Sequence, residues 1–539
     1  MNSFSLQILF LFFSTYLVGQ TMGLMLNEQS SRDGLVLFSN NTTTYLIDNC
    51  GKIVNTWESN YKSGNGLELL PDGNLLRAGF LQGDFNAGGV SGIFELFDWE
   101  GNIIWQYRLA DDKQHAHHDI KVLPNGNFLC LVWEQKSESE AKQKGRVENG
   151  NLWIETVLEI EVLQNNQANI KWKWSAWDHL IQDVNSSLNN FGVVNKNPQL
   201  LNINYTGAAG VNDEDWLHLN SIDYNESLDQ VILSSKHLSE IYIIDHSTTS
   251  AEAATSFGGI QERGGDILFR YGNPQAYNKG LSTDQTLFGQ HNAHWTRYDK
   301  QNSIVCFNNE YKKSQESSIH IINEPSNGTG EYDYDSIAGF LNVVLFDEIT
   351  NDFYSPILSS CQVLGNDHLL ITIGSAGEII ELDKNKELIW KYTNPVNRNG
   401  GPGIQGGTPR FNELFQSIKY ERTFSGFEDK ILSGGNPVEV SPNDYPCDLN
   451  ILNTSSAQLK IDETQITNIY VDEMSNLHFI NNTSINGNLY ILNALGQTVL
   501  SDSFSKDHNI YNINLQQGIF ILSFIFKNQQ SISKVIIVD

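Results

Sequence analysis

A repeated strand–turn–strand unit between about residues 31 and 433 constrains the fold of this chain more than any other sequence feature. One form of the unit places a polar turn between two apolar runs, as in residues 67–76, 120–129 and 363–370. The second form ends on a tryptophan, as in residues 44–57, 93–105 and 378–390. The Asp-Gly and Asn-Gly dipeptides in these turns supply the positive φ that tight hairpins require. Two hairpins in series form a four-stranded meander, so the repeat predicts the blades of a β-propeller.

The repeat occurs about six times, which predicts an all-β fold with a six-bladed β-propeller followed by a small C-terminal β-sandwich. The innermost strands are expected near Leu67, Ile120, Asn220, Asn292, Cys361 and Phe415. We expect residues 34–38 to complete the last blade, because an open sheet edge invites aggregation. Two independent β-sandwiches or a solenoid are the alternative folds, and the uneven spacing of the units argues against a solenoid.

The N-terminal end of the chain is apolar and uncharged from residue 6 to residue 19. As a helix this segment would span about 21 Å, less than the ~30 Å hydrocarbon core of a membrane. We therefore predict a signal peptide over residues 1–20, no permanent membrane span, and a protein that is secreted or at the cell surface after export through the periplasm. An N-terminal anchor or a buried helix is the alternative.

The net charge limits the partners that this chain can bind. It carries 34 Lys and Arg residues against 63 Asp and Glu residues, a formal net charge of −29. Such a surface repels a nucleic-acid backbone, so no nucleic-acid partner is expected. An anionic substrate needs a local cationic pocket.

Five cysteines without short spacings exclude a disulfide scaffold and a cysteine-based zinc module. Cys130, Cys306 and Cys361 lie in strand-like runs and are expected to be buried thiols. Cys50 lies in a turn and Cys447 in a linker, and the sequence leaves their pairing open.

Several histidines occur at the same position of the repeat, at the start of an innermost strand. His118 and His218 precede corresponding innermost strands, and His291 and His294 flank the start of another. Innermost strands run side by side around the propeller axis, so these side chains are expected to meet at one mouth of the channel. Imidazole can act there as a nucleophile, a general base or a metal ligand. The acidic residues that could orient the rings are Asp119, Asp213 and Asp215.

Six segments of the sequence together resemble the arylsulfotransferase family. They are residues 117–120 (HHDI), 215–224 (DWLHLNSIDY), 231–245, 271–274 (YGNP), 288–295 (FGQHNAHW) and 353–356 (FYSP). The resemblance implies a six-bladed propeller that transfers a sulfuryl group from an aryl sulfate to a phenol without a nucleotide donor. It further implies a histidine intermediate, no cofactor, and aryl sulfates and phenolic small molecules as partners.

The resemblance assigns candidate roles to individual residues. His118 and His294 are candidates for the sulfurylated nucleophile, and His218 and His291 match family histidines around the sulfate; these four form the predicted catalytic set. The predicted substrate-binding residues are His117, Lys236, His237 and Arg410, and no residue is assigned to a metal.

Two positions depart from the family pattern. Residues 377–383 read GEIIELD where the family places its nucleophilic histidine, and Glu310 follows the FNN turn where a sulfate-binding arginine is expected. Lys236 stands in place of an arginine, and an ammonium group lacks the planar fork of a guanidinium. Arg410 is the candidate replacement cation.

The C-terminal region alternates differently from the repeat. Residues 434–464 are rich in Asn, Ser, Pro and Asp and predict a linker, and residues 465–539 predict a separate β-sandwich. Within it, residues 492–497 (LNALGQ), 515–524 (LQQGIFILSF) and 533–539 (SKVIIVD) resemble the sorting domain of the type IX secretion system of Bacteroidetes. That resemblance implies the secretion machinery as a partner. An ordinary accessory β-sandwich is the alternative.

Three functions are consistent with the sequence. The first is a secreted, sulfotransferase-like enzyme, and the second is a non-catalytic propeller that binds an extracellular ligand at its channel mouth. The third is a site in which histidines hold a divalent metal, for which His117, His118, His218, His291 and His294 supply nitrogen ligands.

Overall fold

The computed structural model describes residues 20–208, 213–297, 303–310, 315–323, 326, 328–335, 339–340, 345–349, 353–443, 447, 466–471, 476–481, 487–493, 498–505, 507–512, 518–526 and 531–538. The chain divides into two compact units, Met1–Leu452 and Asn453–Asp539. Residues 1–19 of the predicted signal peptide lie outside the described residues. So do residues 444–446 and 448–464 of the predicted linker. No helix among the described residues is long and apolar enough to span a bilayer.

The first unit consists almost entirely of short strands. Its strands up to residue 175 are β1 (Gly23–Asn27), β2 (Leu35–Asn40), β3 (Thr43–Asp48), β4 (Ile53–Glu58), β5 (Ser63–Leu69), β6 (Leu75–Phe80), β7 (Gly92–Phe97), β8 (Ile103–Arg108), β9 (Gln114–Val122), β10 (Phe128–Lys136), β11 (Leu152–Leu163) and β12 (Gln167–Ser175). The helix α1 (Glu138–Gln143) lies between β10 and β11.

The remaining strands of this unit are β13 (Leu180–Ile181), β14 (Leu201–Asn202), β15 (Leu219–Asn225), β16 (Gln230–Ser235), β17 (Glu240–Asp245), β18 (Phe269–Tyr271), β19 (His291–Trp295), β20 (Ile304–Asn308), β21 (Ser318–Ile322), β22 (Tyr334–Asp335), β23 (Gly339–Phe340), β24 (Leu345–Ile349), β25 (Ser360–Val363), β26 (Leu369–Ile373), β27 (Glu378–Leu382), β28 (Leu388–Thr393) and β29 (Ser417–Tyr420). The helix α2 (Ser250–Ala253) follows β17. Single 3-10 turns occur at Ala176–Asp178, Val194–Lys196, Pro274–Tyr277, Ser282–Asp284, Gly365–Asp367, Gly374–Ala376 and Ser425–Phe427.

These strands form the six blades that the repeat predicts. Strands β5–β8 form blade 1, β9–β12 blade 2 and β15–β18 blade 3. Blade 4 contains β19, β20, β21 and β24, blade 5 contains β25–β28, and blade 6 contains β29 with β2, β3 and β4. The prediction of an all-β, six-bladed β-propeller is therefore confirmed.

The first N-terminal strand extends blade 5, and the second closes the ring. Strand β29 pairs with β2, with Tyr420 opposite Leu35, as expected for residues 34–38. Strand β1 adds a fifth strand to blade 5, with Gly23 opposite Thr393. The repeat pattern did not reveal β1, because a lone strand lacks the hairpin partner that makes a unit recognisable.

Neighbouring blades are joined at the axis by side chains, since their innermost strands belong to separate sheets. In each case an oxygen on one blade accepts the main-chain N–H of the next blade. The N–H of Ile222 donates to Asp119 Oδ2 (3.3 Å), that of Ala293 to Ser221 Oγ (2.8 Å) and that of Cys361 to Asn292 Oδ1 (3.1 Å). These bonds satisfy buried donors that no strand pairing reaches.

The tryptophans that end the second form of the repeat join the blades farther from the axis. Each ring is buried and donates its indole N–H to a main-chain carbonyl of the following blade. Trp57 donates to Asp98 (2.8 Å), Trp105 to Gln167 (2.9 Å) and Trp390 to Asn49 (2.8 Å). A tryptophan is suited to this position because it combines a large apolar contact with one donor.

A disulfide bond fixes the segment that follows the propeller. Cys50, in the turn between β3 and β4, is bonded to Cys447. The side chain of Asn27 donates a hydrogen bond to the Cys447 carbonyl oxygen at 3.2 Å. The other three cysteines, Cys130, Cys306 and Cys361, are buried free thiols, as the sequence predicts.

The second unit is a small β-sandwich of two antiparallel sheets. Its strands are β30 (Ile466–Val471), β31 (Asn476–Asn481), β32 (Gly487–Asn493), β33 (Thr498–Phe504), β34 (Asp507–Asn512), β35 (Gly518–Phe526) and β36 (Ser531–Val538). One sheet has the order β30-β31-β34 and the other β33-β32-β35-β36. Phe479 of the first sheet contacts Phe504 of the second, with ring centroids 5.7 Å apart.

The disulfide predicts a redox-dependent stability. Replacing Cys50 and Cys447 together with serine should lower the free energy of unfolding by about 2–4 kcal/mol, because the bond restricts the unfolded chain. Guanidinium denaturation of the oxidised wild type and of the variant measures the difference. A reductant should destabilise the wild type and leave the variant unchanged; equal sensitivity of both proteins contradicts the prediction.

An ion-pair group between blades 2 and 3 predicts a pH-dependent stability. His246 lies 2.8 Å from Asp229 and 3.1 Å from Glu159. Burial alone lowers the pKa of His246, but the hydrogen bonds and charges of the two carboxylates outweigh it and raise the pKa to about 9. The stabilisation is therefore complete below the unfolded pKa of about 6.5 and is lost as the pH rises through about 9.

Replacing His246 with glutamine should accordingly destabilise the protein by about 1.5–3 kcal/mol at pH 6 and by much less at pH 10. Urea denaturation of both proteins at the two pH values measures this. A difference between them that does not change with pH would show that the charge of His246 plays no part.

Candidate functional site

The histidines at the channel mouth are presented by irregular backbone at the start of the innermost strands. In β9 the register against β10 shifts, and His118 and Asp119 are extra residues between the paired His117 and Ile120. His118 has a φ of +52°, and His218, directly before β15, has a φ of +49°. Positive φ is costly for residues other than glycine and persists where the surroundings enforce it. The two imidazole centroids lie 4.7 Å apart.

His118 is the first member of a buried chain of polar groups. Its Nδ1 lies 2.9 Å from Nδ1 of His117, and Nε2 of His117 lies 2.9 Å from Oε2 of Glu155. The His117 ring stacks on Trp133, with centroids 3.9 Å apart and planes 9° apart. Glu155, on β11, also accepts the N–H of Leu219 at 2.8 Å. The carboxylate therefore links the His117–His118 pair to the strand that follows His218.

Asp215 orients two further imidazoles. Its Oδ2 lies 2.5 Å from Nδ1 of His218, and its main-chain oxygen lies 2.7 Å from Nδ1 of His237. The rings of His218 and His237 have centroids 4.7 Å apart and planes inclined by 30°. Of the three predicted acidic residues, Asp215 orients a histidine directly, whereas Asp119 serves the blade contact described above.

His291 is held in the same manner. Its Nδ1 lies 2.7 Å from Oδ1 of Asn309 and 3.1 Å from the Gly289 carbonyl oxygen. The Asn309 amide donates to the main-chain oxygens of Ser355 at 2.8 Å and Leu358 at 2.9 Å, which directs its oxygen to His291. His218, His237 and His291 are thus each anchored through Nδ1.

Burial keeps these imidazoles neutral, because a low-dielectric surrounding disfavours the charged form. It lowers the pKa of His117 and His291 to about 3 and that of His237 to about 4. The pKa of His118 lies well below its usual value because of burial and of the neighbouring imidazoles. Burial also lowers the pKa of Lys236, and the charge of its ammonium group contributes to the lowered pKa of His291.

Burial acts in the opposite direction on the carboxyl groups. It raises the pKa of Asp215 to about 6 and that of Asp119 to about 7. It also raises the pKa of Glu155 well above its usual value, and the negative charge of Asp215 adds to this effect. The pocket consequently combines neutral imidazoles with carboxyl groups that hold protons unusually strongly.

His294 lies apart from the other predicted catalytic histidines. It lines a channel cavity of about 1200 Å³ together with Lys121 and Asp223, and the lining does not include His118, His218 or His291. His294 follows His291 by three residues across a register shift in β19, which moves it farther along the strand. The structure therefore brings His118, His218 and His291 together and leaves His294 in the channel.

The predicted substrate-binding residues also fall into two groups, those in the histidine cluster and one outside it. His117, Lys236 and His237 belong to the cluster, whereas Arg410 is exposed and makes no hydrogen bond or ion pair to it among the described residues. In the strand where the family nucleophile was expected, Glu378 pairs with Lys391 at 2.7 Å and Glu381 with Lys419 at 2.8 Å. That strand contributes one ion pair within blade 5 and one that joins blade 5 to blade 6.

Sequence reasoning missed three residues of the site: Glu155, Trp133 and Asn309. Glu155 and Trp133 lie on β11 and β10, behind the innermost strand, and a pattern in β9 does not show which residues pack on it. Asn309 belongs to the FNN turn, after which the family resemblance predicts an arginine.

A glycine-containing loop between β6 and β7 covers the cluster. The carbonyl oxygen of Gly89 accepts the N–H of His118 at 2.7 Å. Gly89 has a φ of +82°, and a Cβ at this position would lie 2.1 Å from atoms of the His118 ring. Gly88 is also close, since its Cβ would lie 3.8 Å from the His218 ring.

The contact predicts that Gly89→Ala is more harmful than an alanine at another positive-φ glycine. Gly126 is the matched control, because its φ is +85° and a Cβ there would meet nothing within 4 Å. Both variants should lose about 1–2 kcal/mol to backbone strain, and Gly89→Ala about 1–3 kcal/mol more to the clash. Thermal unfolding of the two variants measures the difference; equal losses contradict the described contact.

Comparison with solved structures gives distant matches. A protein of unknown function from Bacteroides caccae is 10% identical, with 72% of this chain and 99% of that chain covered and a TM-score of 0.40. A protein from Lactobacillus plantarum is 8% identical (89% and 99% covered, TM-score 0.34). Virginiamycin B lyase from Staphylococcus aureus is 11% identical (70% and 90% covered, TM-score 0.31). Similarity at this level says nothing about the chemistry of this chain.

No curated protein matches the chain significantly. The model of the arylsulfotransferase (ASST) family, in contrast, matches residues 24–396. The match begins in β1, the fifth strand of blade 5, and extends through all the clustered histidines to the end of that blade. The chain therefore belongs to the arylsulfotransferase (ASST) family.

Proposed function

We propose that this protein transfers a sulfuryl group from an aryl sulfate to a phenol, with His118 as the residue that carries the group between the two. Membership of the family supports an arylsulfotransferase-like function at the level of the family. The assignment of His118 is specific to this chain, because its strand β27 has no histidine.

The observation that carries the proposal is the chain of contacts from His118 through His117 to Glu155. The nucleophilic form of the site is the one in which Glu155 has lost its proton, against the raised pKa that burial gives it. Its carboxylate then accepts the Nε2 proton of His117, and Nδ1 of His117 accepts the Nδ1 proton of His118. Nε2 of His118 then carries the lone pair that a nucleophile needs. A third group that orients a base or nucleophile is the general arrangement of catalytic triads.

The reaction would occur in two displacements. In the first, Nε2 of His118 attacks sulfur, the bond between sulfur and the aryl oxygen breaks, and the aryl oxide leaves with the electron pair and takes a proton from water. In the second, Nε2 of His291 accepts the proton of the acceptor phenol, whose oxygen attacks the same sulfur. The electron pair of the N–S bond then returns to His118, and His291 releases its proton to water.

Lys236 would face the sulfuryl oxygens. Its ammonium group is close enough to His118, His218 and His291 to influence their protonation. A positive charge in a site from which water is largely excluded stabilises charge on the transferred group more than it would in water. This local charge would allow a chain of net charge −29 to bind an anionic sulfate ester.

We also propose that the protein is exported, that residues 1–20 are its signal peptide, and that residues 465–539 direct type IX secretion. The disulfide between Cys50 and Cys447 supports an oxidising location, since such bonds persist outside the reducing cytosol.

The proposal predicts a covalent adduct on one residue. Wild-type protein mixed with 4-nitrophenyl sulfate without an acceptor should gain the mass of one SO₃ group, and peptide mapping should locate it on His118. His118→Asn should form no adduct and release 4-nitrophenol at least about 100-fold more slowly, as expected when a nucleophile is removed.

His294→Asn is the matched control, since it removes an imidazole from the channel cavity and should leave adduct formation intact. An adduct on His294, or unchanged turnover by His118→Asn, would refute the assignment of His118. Circular dichroism of both variants establishes that they are folded.

A further inference from the structure

The loop between β6 and β7 covers the histidine cluster and is held there mainly by one side chain. Among residues 82–88, Phe85 is the buried one, with an exposure of 1%, and its neighbours Asp84 and Asn86 are exposed. No hydrogen bond joins residues 82–88 to the rest of the propeller in the described part of the chain. The middle of the loop therefore depends on the packing of Phe85.

The Phe85 ring fills a slot whose walls are the rings of Trp133, Trp153 and His115. Its centroid lies 6.1 Å from that of Trp133, with planes 7° apart, 4.8 Å from that of Trp153 and 5.8 Å from that of His115. The Trp133 ring in turn has its centroid 6.2 Å from that of His118. The slot accepts one aromatic ring and borders the residue proposed to carry the sulfuryl group.

The same loop covers His118, which is only 3% exposed. A Cβ on Gly89 would lie 2.1 Å from Nε2 of His118, so the main chain of Gly89 lies against the nitrogen that the proposed reaction requires. An aryl sulfate cannot reach this nitrogen while the loop is in this position. Reaction at His118 therefore requires the loop to move.

The position of the loop also leaves polar atoms without partners. Nε1 of Trp153 and Nδ1 of His115, which belong to two of the rings around Phe85, are buried and make no hydrogen bond. Such atoms are costly, and they would bond to water if the loop moved away. Gly83 and Gly88 flank Phe85 and give the backbone the freedom to change conformation. The closed position is thus favoured mainly by the burial of one aromatic ring, which an aromatic ligand can replace.

We propose that the slot between Trp133 and Trp153 is the aryl subsite of this protein and that residues 82–89 form a lid, whose Phe85 occupies the subsite until an aryl ring displaces it. The ring of an aryl sulfate takes the place of the Phe85 ring, and its sulfuryl group can then reach Nε2 of His118. A sulfate ester without an aromatic ring binds poorly, because it leaves the slot to Phe85. The identity of the ligand rests on the proposed function, whereas the movement of the lid does not.

The first test measures access to His118 without any sulfate ester. Diethyl pyrocarbonate acylates an accessible neutral imidazole, and peptide mapping by mass spectrometry gives the rate at each histidine. Phe85→Ala should raise the rate at His118 at least about tenfold, because the loss of a buried phenyl group disfavours the closed lid. The rate at His294, in the channel cavity, should not change. Asn86→Ala is the matched control, since it alters an exposed neighbour, and should react as the wild type does.

The second test is a calorimetric titration with 4-nitrophenol. Phe85→Ala should bind it more tightly than the wild type by the same factor as the increase in rate at His118, because both quantities are proportional to the population of the open lid. Phe85→Leu retains a smaller apolar side chain and should give intermediate values, which decide the question if Phe85→Ala does not fold.

An unchanged rate at His118 in the Phe85 variants, or an increase that His294 shares equally, overturns the lid. A faster rate at His118 without tighter binding of 4-nitrophenol overturns the aryl subsite. Failure of sulfuryl transfer when both increases are found would refute only the proposed function.

Discussion

The structure depends on how six sheets meet at one axis without a shared hydrogen-bond ladder. Each innermost strand has main-chain N–H groups that face the next blade, and side chains such as Asp119, Ser221 and Asn292 must accept them. Asp119, Ser221 and Asn292 each lie at or beside a register shift in their strand. The irregular backbone that joins the blades is therefore also the backbone that presents the imidazoles.

Much of the fold follows from the sequence, because the repeat encodes strands and turns, with a closing tryptophan in blades 1, 5 and 6. The placement of His118 and His218 also follows, since equal phase in adjacent innermost strands brings residues together. His294 shows the limit of that argument. A position inferred by counting residues along the repeat is wrong after a bulge, because the extra residue displaces all the residues that follow it. Glu155 shows another limit. Its role depends on how β11 packs behind β9, and the sequence of β9 gives no information about that packing. The pairing of Cys50 with Cys447 required coordinates for the same reason.

The chemistry of the site is set by burial more than by net charge. A net charge of −29 favours the cationic form of the five clustered imidazoles, but their burial lowers their pKa values and keeps them neutral. Each is then defined by which nitrogen holds its proton, and that is decided by oxygens of Asp215, Asn309 and Glu155. The residues behind the histidines thus determine whether the pocket offers nucleophiles, bases or ligands.

The closure of blade 6 has a consequence for the newly made chain. Strand β2 is synthesised early, and its partner β29 follows only after the five other blades have been made. Until then, β2 exposes an unpaired edge, and its Leu35, Val36, Leu37 and Phe38 side chains, all fully buried in the finished ring, lack their cover. Pairing across so long a stretch of sequence is slow. Nascent chains of this protein should therefore need a chaperone for longer than their size alone suggests.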